Sequence, residues 1–162
     1  MKKISGFTLL ETLIYLALFG ILMGGVVAAV YGIVQAGGRG QTKIILQEEG
    51  DFLLGKFSWA LSGASSFSIA GSPPQLTVNQ YGFANNPLAF RISGSKAQLA
   101  EGGGPFINLN SDAVSVSNLS FIDIPSTVDS NEGVAITIVL AATTSQGSAM
   151  SQGFSMTKYL RK

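Results

Sequence analysis

The spacing of apolar positions divides the chain near residue 40. From Phe7 to Val34 the sequence is almost continuously apolar apart from Glu11. No charged residue falls between Thr12 and Val34, and those 23 residues span about 35 Å as a helix at roughly 1.5 Å per residue. That is long enough to cross a bilayer core. Gln35-Ala36-Gly37-Gly38-Arg39-Gly40 follows, and its glycines predict a bend or short break. Between Gln41 and Ser62, Ile45, Phe52, Leu53, Phe57, Ala60 and Leu61 recur at near-helical spacing, with Lys43, Glu48, Glu49, Asp51 and Lys56 elsewhere around the wheel. This predicts an amphipathic helix with one face on a globular domain. Trp59 is expected in the core or an interface.

Beyond Ser66 the period changes to two. Gln75–Tyr81, Leu88–Ser93, Lys96–Ala100 and Val134–Leu140 each alternate apolar and polar residues, and Phe154, Met156 and Leu160 mark a closing strand. Val114 and Val116 share one parity, whereas Leu119 and Phe121 have the other. A bulge or turn near Ser117–Asn118 would turn both pairs inward. Turns are expected at Ser72-Pro73-Pro74, Asn85-Asn86-Pro87, Gly102-Gly103-Gly104-Pro105 and Ser130-Asn131-Glu132-Gly133. The small residues of Ala142–Gln152 read as loop or exposed edge. The predicted fold class is α+β: a long N-terminal helix, half apolar and half amphipathic, with a mostly antiparallel sheet packed on the Gln41–Ser62 face.

Composition narrows the chemistry. Ten basic and nine acidic residues leave a net charge of +1, and no basic stripe marks the domain after Ser66, so no nucleic acid is expected as a partner. The absence of Cys and His removes thiol chemistry, disulfides and Cys/His zinc sites. No acid, base and nucleophile converge in the sequence, and neither an enzyme nor a cofactor is expected. Asp123, Asp129 and Glu132 lie near one turn. They lack the alternating oxygen ligands and central Gly of a calcium loop, and read as solvated turn carboxylates, so no metal site is assigned. Gly102-Gly103-Gly104-Pro105 has no following Lys-Ser/Thr and is not a phosphate loop.

The chain opens Met1-Lys2-Lys3-Ile4-Ser5-Gly6-Phe7-Thr8-Leu9-Leu10-Glu11. Lys2 and Lys3 should stay cytoplasmic, which exports the rest of the chain. The apolar run is too long for the core of an ordinary cleaved signal peptide. A simple signal anchor leaves Glu11 unexplained, because a carboxylate in an apolar helix costs about 2.5–3.5 kcal/mol at mid-bilayer. A short basic leader, then Gly6-Phe7-Thr8-Leu9-Leu10-Glu11, then an apolar helix resembles the type IV prepilin processing motif. The resemblance implies cleavage by prepilin peptidase between Gly6 and Phe7 and N-methylation of Phe7. It also implies that Glu11, fifth in the mature chain, pairs with the N-terminal amine of a neighbouring subunit during assembly. Ala28 stands where major pilins commonly carry a proline, so a kink there is not expected from proline, although the glycines at 20, 24, 25 and 32 could loosen the helix.

The expected organisation is a leader over residues 1–6, a transmembrane and assembly half-helix over 7–34, an amphipathic half over 35–62, and a β-rich domain over 63–162. The Asp112–Phe121 stretch and the closing Leu160-Arg161 are similar to minor pilins and J-type pseudopilins of type II secretion. The implied function is a structural subunit, a minor pilin or pseudopilin. The alternatives are a major pilin of the shaft or a tip subunit that binds a surface or cargo. The implied partners are prepilin peptidase, other pilin subunits, an inner-membrane assembly platform, and the lipid bilayer before assembly. The location follows: the cytoplasmic membrane in single pass with the C-terminal domain outside, then a filament.

Overall fold

The computed structural model describes residues 8–128, 131–145 and 147–160. The chain divides into two units, Met1–Gly40 and Gln41–Lys162. One helix, α1 (Leu9–Ser62), supplies the described part of the first unit and opens the second.

The expected break at Gly37–Gly40 is absent: α1 is helical throughout these residues. Glycine lowers helix stability by about 1 kcal/mol relative to Ala but does not block the hydrogen-bonding pattern as proline does. The same holds at Gly20, Gly24, Gly25 and Gly32, which are all helical.

In the second unit α1 is followed by β1 (Ala64–Ala70), β2 (Gln75–Gln80), β3 (Leu88–Ser93), β4 (Lys96–Glu101), β5 (Ile107–Asn108), β6 (Ser115–Ile124), β7 (Gly133–Thr143) and β8 (Ala149–Tyr159). The strands form two antiparallel sheets, ordered β1-β2-β3-β4-β5 and β6-β7-β8. The predicted parity change in β6 is a bulge. Val116 pairs with Leu140 and Asn118 with Val139, so Ser117 is the extra residue. Val116, Leu119 and Phe121 are all buried as a result. The small-residue stretch 142–152 divides. Ala142 and Thr143 end β7, Ala149–Gln152 begin the edge strand β8, and Thr144 closes the turn by donating its N–H to Ser148 O at 2.8 Å.

Both sheets and α1 share one core. Phe57 reaches Phe90 of β3 at 4.7 Å and Phe121 of β6 at 5.8 Å between ring centroids, which ties one helix residue to both sheets. The buried helix positions are Thr42, Leu46, Gly50, Leu53, Phe57, Ala60 and Leu61. One expectation is corrected here, at Phe52. Phe52 is 47% exposed, because it lies about 100° around the helix from Leu53, which takes the core-facing place. Trp59 is also half-exposed, with its ring edge-on to Phe83 at 5.8 Å.

Buried polar groups hold the loops. Gln80 donates its Nε2 to Ala60 O at 2.9 Å and Trp59 O at 3.2 Å, satisfying carbonyls at the end of α1. Asn110 accepts from Ala97 N at 2.8 Å and donates to Val114 O at 2.6 Å, joining β4 to the entry of β6. The half-buried Asn86 accepts from Gln80 N at 2.9 Å and donates to Gln80 O at 2.7 Å, tying the β2–β3 connection to the end of β2.

Candidate processing and assembly site

Gly6 and Phe7, the expected cleavage and methylation residues, lie outside the described residues, as do Lys2 and Lys3. The described chain starts at Thr8, immediately before α1. Glu11 N donates to Thr8 Oγ1 at 3.3 Å and to Thr8 O at 3.1 Å, and Thr12 N donates to Thr8 O at 3.2 Å. Thr8 therefore caps the helix, with Glu11 at the third helical position. Thr8-Leu9-Leu10-Glu11 has the spacing of a capping box, so the sequence carries a signal for the helix start inside the processing motif itself.

Glu11 is half-exposed, and no cation pairs with it among the described residues. Its carboxylate stands in the first turn, where the unpaired N–H groups of the helix give a positive end. From Leu9 to Val34 the helix displays its apolar side chains outward. Leu9, Leu10, Leu13, Leu16, Ile21 and Ile33 are each more than half exposed within the chain. This is the helix long and apolar enough to cross a membrane, and none of its apolar window is buried against protein. Water does not stabilise such a surface: burying a Leu or Val side chain is worth about 1.5–3 kcal/mol.

Residues 1–27 match the family described as the prokaryotic N-terminal methylation motif. The N-terminus is type IV prepilin-like. No curated protein and no solved structure matches the chain. The match includes Gly6, Phe7, Glu11 and most of the Phe7–Val34 apolar run, and the motif implies processing by prepilin peptidase. The motif is one of structural, prepilin-like proteins and not of enzymes, and the helix that carries it is long and apolar enough to cross a membrane. The architecture is pilin-like: a long N-terminal helix whose second part packs on antiparallel sheets.

The remaining candidates are dispersed. Asp123 and Glu132 are exposed, Asp129 lies outside the described residues, and no group of three potential metal ligands occurs among the described residues. In the second unit, Ile44, Phe52 and Trp59 are exposed on α1, away from the core-facing positions, with Glu48 between Ile44 and Phe52 on the same face. The Lys56 ammonium lies 5.5 Å from the Phe52 ring and 6.0 Å from the Trp59 ring.

Proposed function

We propose that the chain is a minor pilin or pseudopilin, a structural subunit of a type IV pilus or a type II secretion-like filament. Prepilin peptidase removes residues 1–6 by cutting between Gly6 and Phe7, and Phe7 is then methylated. The mature subunit waits in the cytoplasmic membrane with residues 63–162 outside the cytoplasm, and enters the filament through α1 by way of the inner-membrane assembly platform. The methylation motif followed at once by an unburied apolar helix carries this reading.

Glu11 contributes a charge at the end of the helix. After cleavage, the ammonium of Phe7 would directly precede the capping Thr8, beside the positive helix end. A carboxylate from a neighbouring subunit offsets that charge, and in an apolar surround each member of the pair gains by meeting the other.

Intact-mass and N-terminal analysis of the membrane-extracted protein, together with mass spectrometry of sheared filaments, tests the proposal. The expected result is a methylated chain beginning at Phe7, present in filaments at low abundance. High abundance would make it the major pilin of the shaft. An N-terminus beyond Val34, or an uncut Met1 where the peptidase is active, would falsify the assignment.

A further inference from the structure

Among the described residues the edge strands of the two sheets are β1, β5, β6 and β8, and all but β8 are guarded. β5 is two residues long. β1 has an irregularity between Ala64 and Ser66, and β6 has the bulge at Ser117. β6 is also partly engaged, since Val116 N donates to Ser95 O at 2.9 Å. β8 differs from these. It runs Ala149–Tyr159 in unbroken register with β7 and contains no proline. Its one charge, Lys158, stands at the far end. Short strands, bulges, prolines and charges keep sheet edges from pairing with other chains, and none of these devices lies along 149–157.

The ladder fixes which groups of β8 face outward. Leu160 N donates to Glu132 O, and Ser148 O accepts from Thr144 N, each at 2.8 Å. The register is constant between these points, so even-numbered residues of β8 turn their N–H and C=O toward β7. Ala149, Ser151, Gly153, Ser155, Thr157 and Tyr159 turn theirs away. All of them are exposed, and their main-chain groups have no hydrogen bond among the described residues.

The inner face beside this edge is incompletely covered. Met150 and Met156 of β8 and Leu54 of α1 pack on the core yet remain half-exposed, next to the buried Phe154. Gln152 Nε2 donates to Gln47 Oε1 at 2.6 Å, and Gln47 Nε2 donates to both Asp51 oxygens at 3.1 Å. Gln47, Asp51 and Leu54 therefore share the flank of α1 on the β8 side. The Asp51 carboxylate is exposed, and no cation pairs with it among the described residues.

We infer that β8 receives an extended strand of another polypeptide, which lengthens the β6-β7-β8 sheet. Main chain is the chemistry that answers a row of N–H and C=O groups recurring every second residue. The inner face selects the side chains: apolar ones at alternate positions to cover Met156 and Leu54, and a basic one near Asp51. A second copy fits less well. α1 and β8 run in the same direction, since Gln47 meets Gln152 and Gly50 meets Phe154. Antiparallel β8–β8 pairing would point the two Gln41–Ser62 segments in opposite directions, which two chains anchored side by side in one membrane, as proposed above, cannot do.

Full-length protein in detergent micelles is titrated with the fluorescent peptide Lys-Thr-Val-Thr-Ile-Thr-Val-Thr. Two further forms are N-methylated, one at the Val and Ile residues and the other at the Thr residues. Fluorescence anisotropy reads binding, and amide hydrogen exchange reads the β8 N–H groups. The unmodified peptide binds and slows exchange at Ser151, Gly153, Ser155 and Thr157. One methylated form binds about tenfold or more weakly and the other keeps its affinity, because each set of amides faces one side of the added strand. Which set is sensitive reports whether that strand runs parallel or antiparallel to β8. Ser155→Pro removes an outward N–H and no bond to β7, so it keeps the fold and weakens binding by a similar factor. Should that variant fail to fold, the methylated pair still decides on the wild-type chain. The inference is overturned if no peptide binds the folded chain, if the two methylated forms bind alike, or if folded Ser155→Pro binds as the wild type does. It is overturned equally if the outward β8 amides are already protected in a dimer, which would give the edge to a second copy.

Discussion

The ring of Phe154 on β8 occupies the space that a side chain on Gly50 of α1 would need. A Cβ at Gly50 would fall against three atoms of that ring. Glycine is required here for close approach of helix and sheet, not for backbone conformation, since Gly50 is helical. Gly55, on the same helix, is exposed, and a Cβ there would meet nothing within 4 Å. The two sites therefore respond oppositely. Gly50→Ala should destabilise by about 1–3 kcal/mol through overpacking, whereas Gly55→Ala should stabilise by up to about 1 kcal/mol through helix propensity. Denaturant titration of the two variants in detergent measures both signs, and equal shifts would refute the packing argument.

Asn110 supports the turn between β5 and β6 with a nearly fully buried amide. Asn110→Ala strands the N–H of Ala97 and the carbonyl of Val114. Each unsatisfied buried group costs about 1–3 kcal/mol, so the two together are expected to cost roughly 2–6 kcal/mol. A thermal melt unchanged by the substitution would mean that water replaces the amide without loss.

The same loop carries a pH-dependent contact. Lys96 Nζ lies 2.7 Å from Asp112 Oδ1 and donates to Ser111 O at 2.6 Å. The hydrogen bond and the charge of Lys96 hold the Asp112 carboxyl below its ordinary value, outweighing a small opposing effect of burial. A carboxylate with a lowered folded value stabilises above its unfolded value, and the effect is lost as pH falls through the folded one. Asp112→Asn should therefore differ from wild type at neutral pH, and the difference should shrink below about pH 4. Because Asp112 is fully exposed, the effect is small. Thermal midpoints of both proteins across this range check the sign, and a difference that widens in acid would contradict it.

Glu11 stands at the third position of a capping-box sequence and has a proposed role in assembly, and these are separable. Capping boxes accept Gln in place of Glu, but only Glu carries charge. Glu11→Gln should keep the helix start, export and leader removal, yet lower incorporation into filaments about as much as Glu11→Ala. Glu11→Asp should fall between, because its shorter side chain reaches less far. Comparing processed protein in membranes with protein in sheared filaments decides the matter. If Glu11→Gln assembles normally, the charge of Glu11 has no part in assembly.

Much of the molecule follows from local pattern, because helix and strand periodicities are properties of short segments. The apolar run, the Gly6–Glu11 motif, most strand positions and the bulge at Ser117 were all legible in sequence. Tertiary structure decided what depends on distant partners. Whether Phe52 or Leu53 faces inward is set by where the sheets contact the helix, and wheel position alone cannot place two adjacent apolar residues. The edge strand at Ala149–Gln152 is imposed by pairing with β7, since its small residues have weak strand preference. Gly50 reads as a poor helix residue until Phe154, far along the chain, arrives against it. Arg91 was one scattered charge until β4 supplied Gln98 and the chain before β5 supplied Phe106. Pairing of strands distant in sequence creates those neighbours, and no local window contains them.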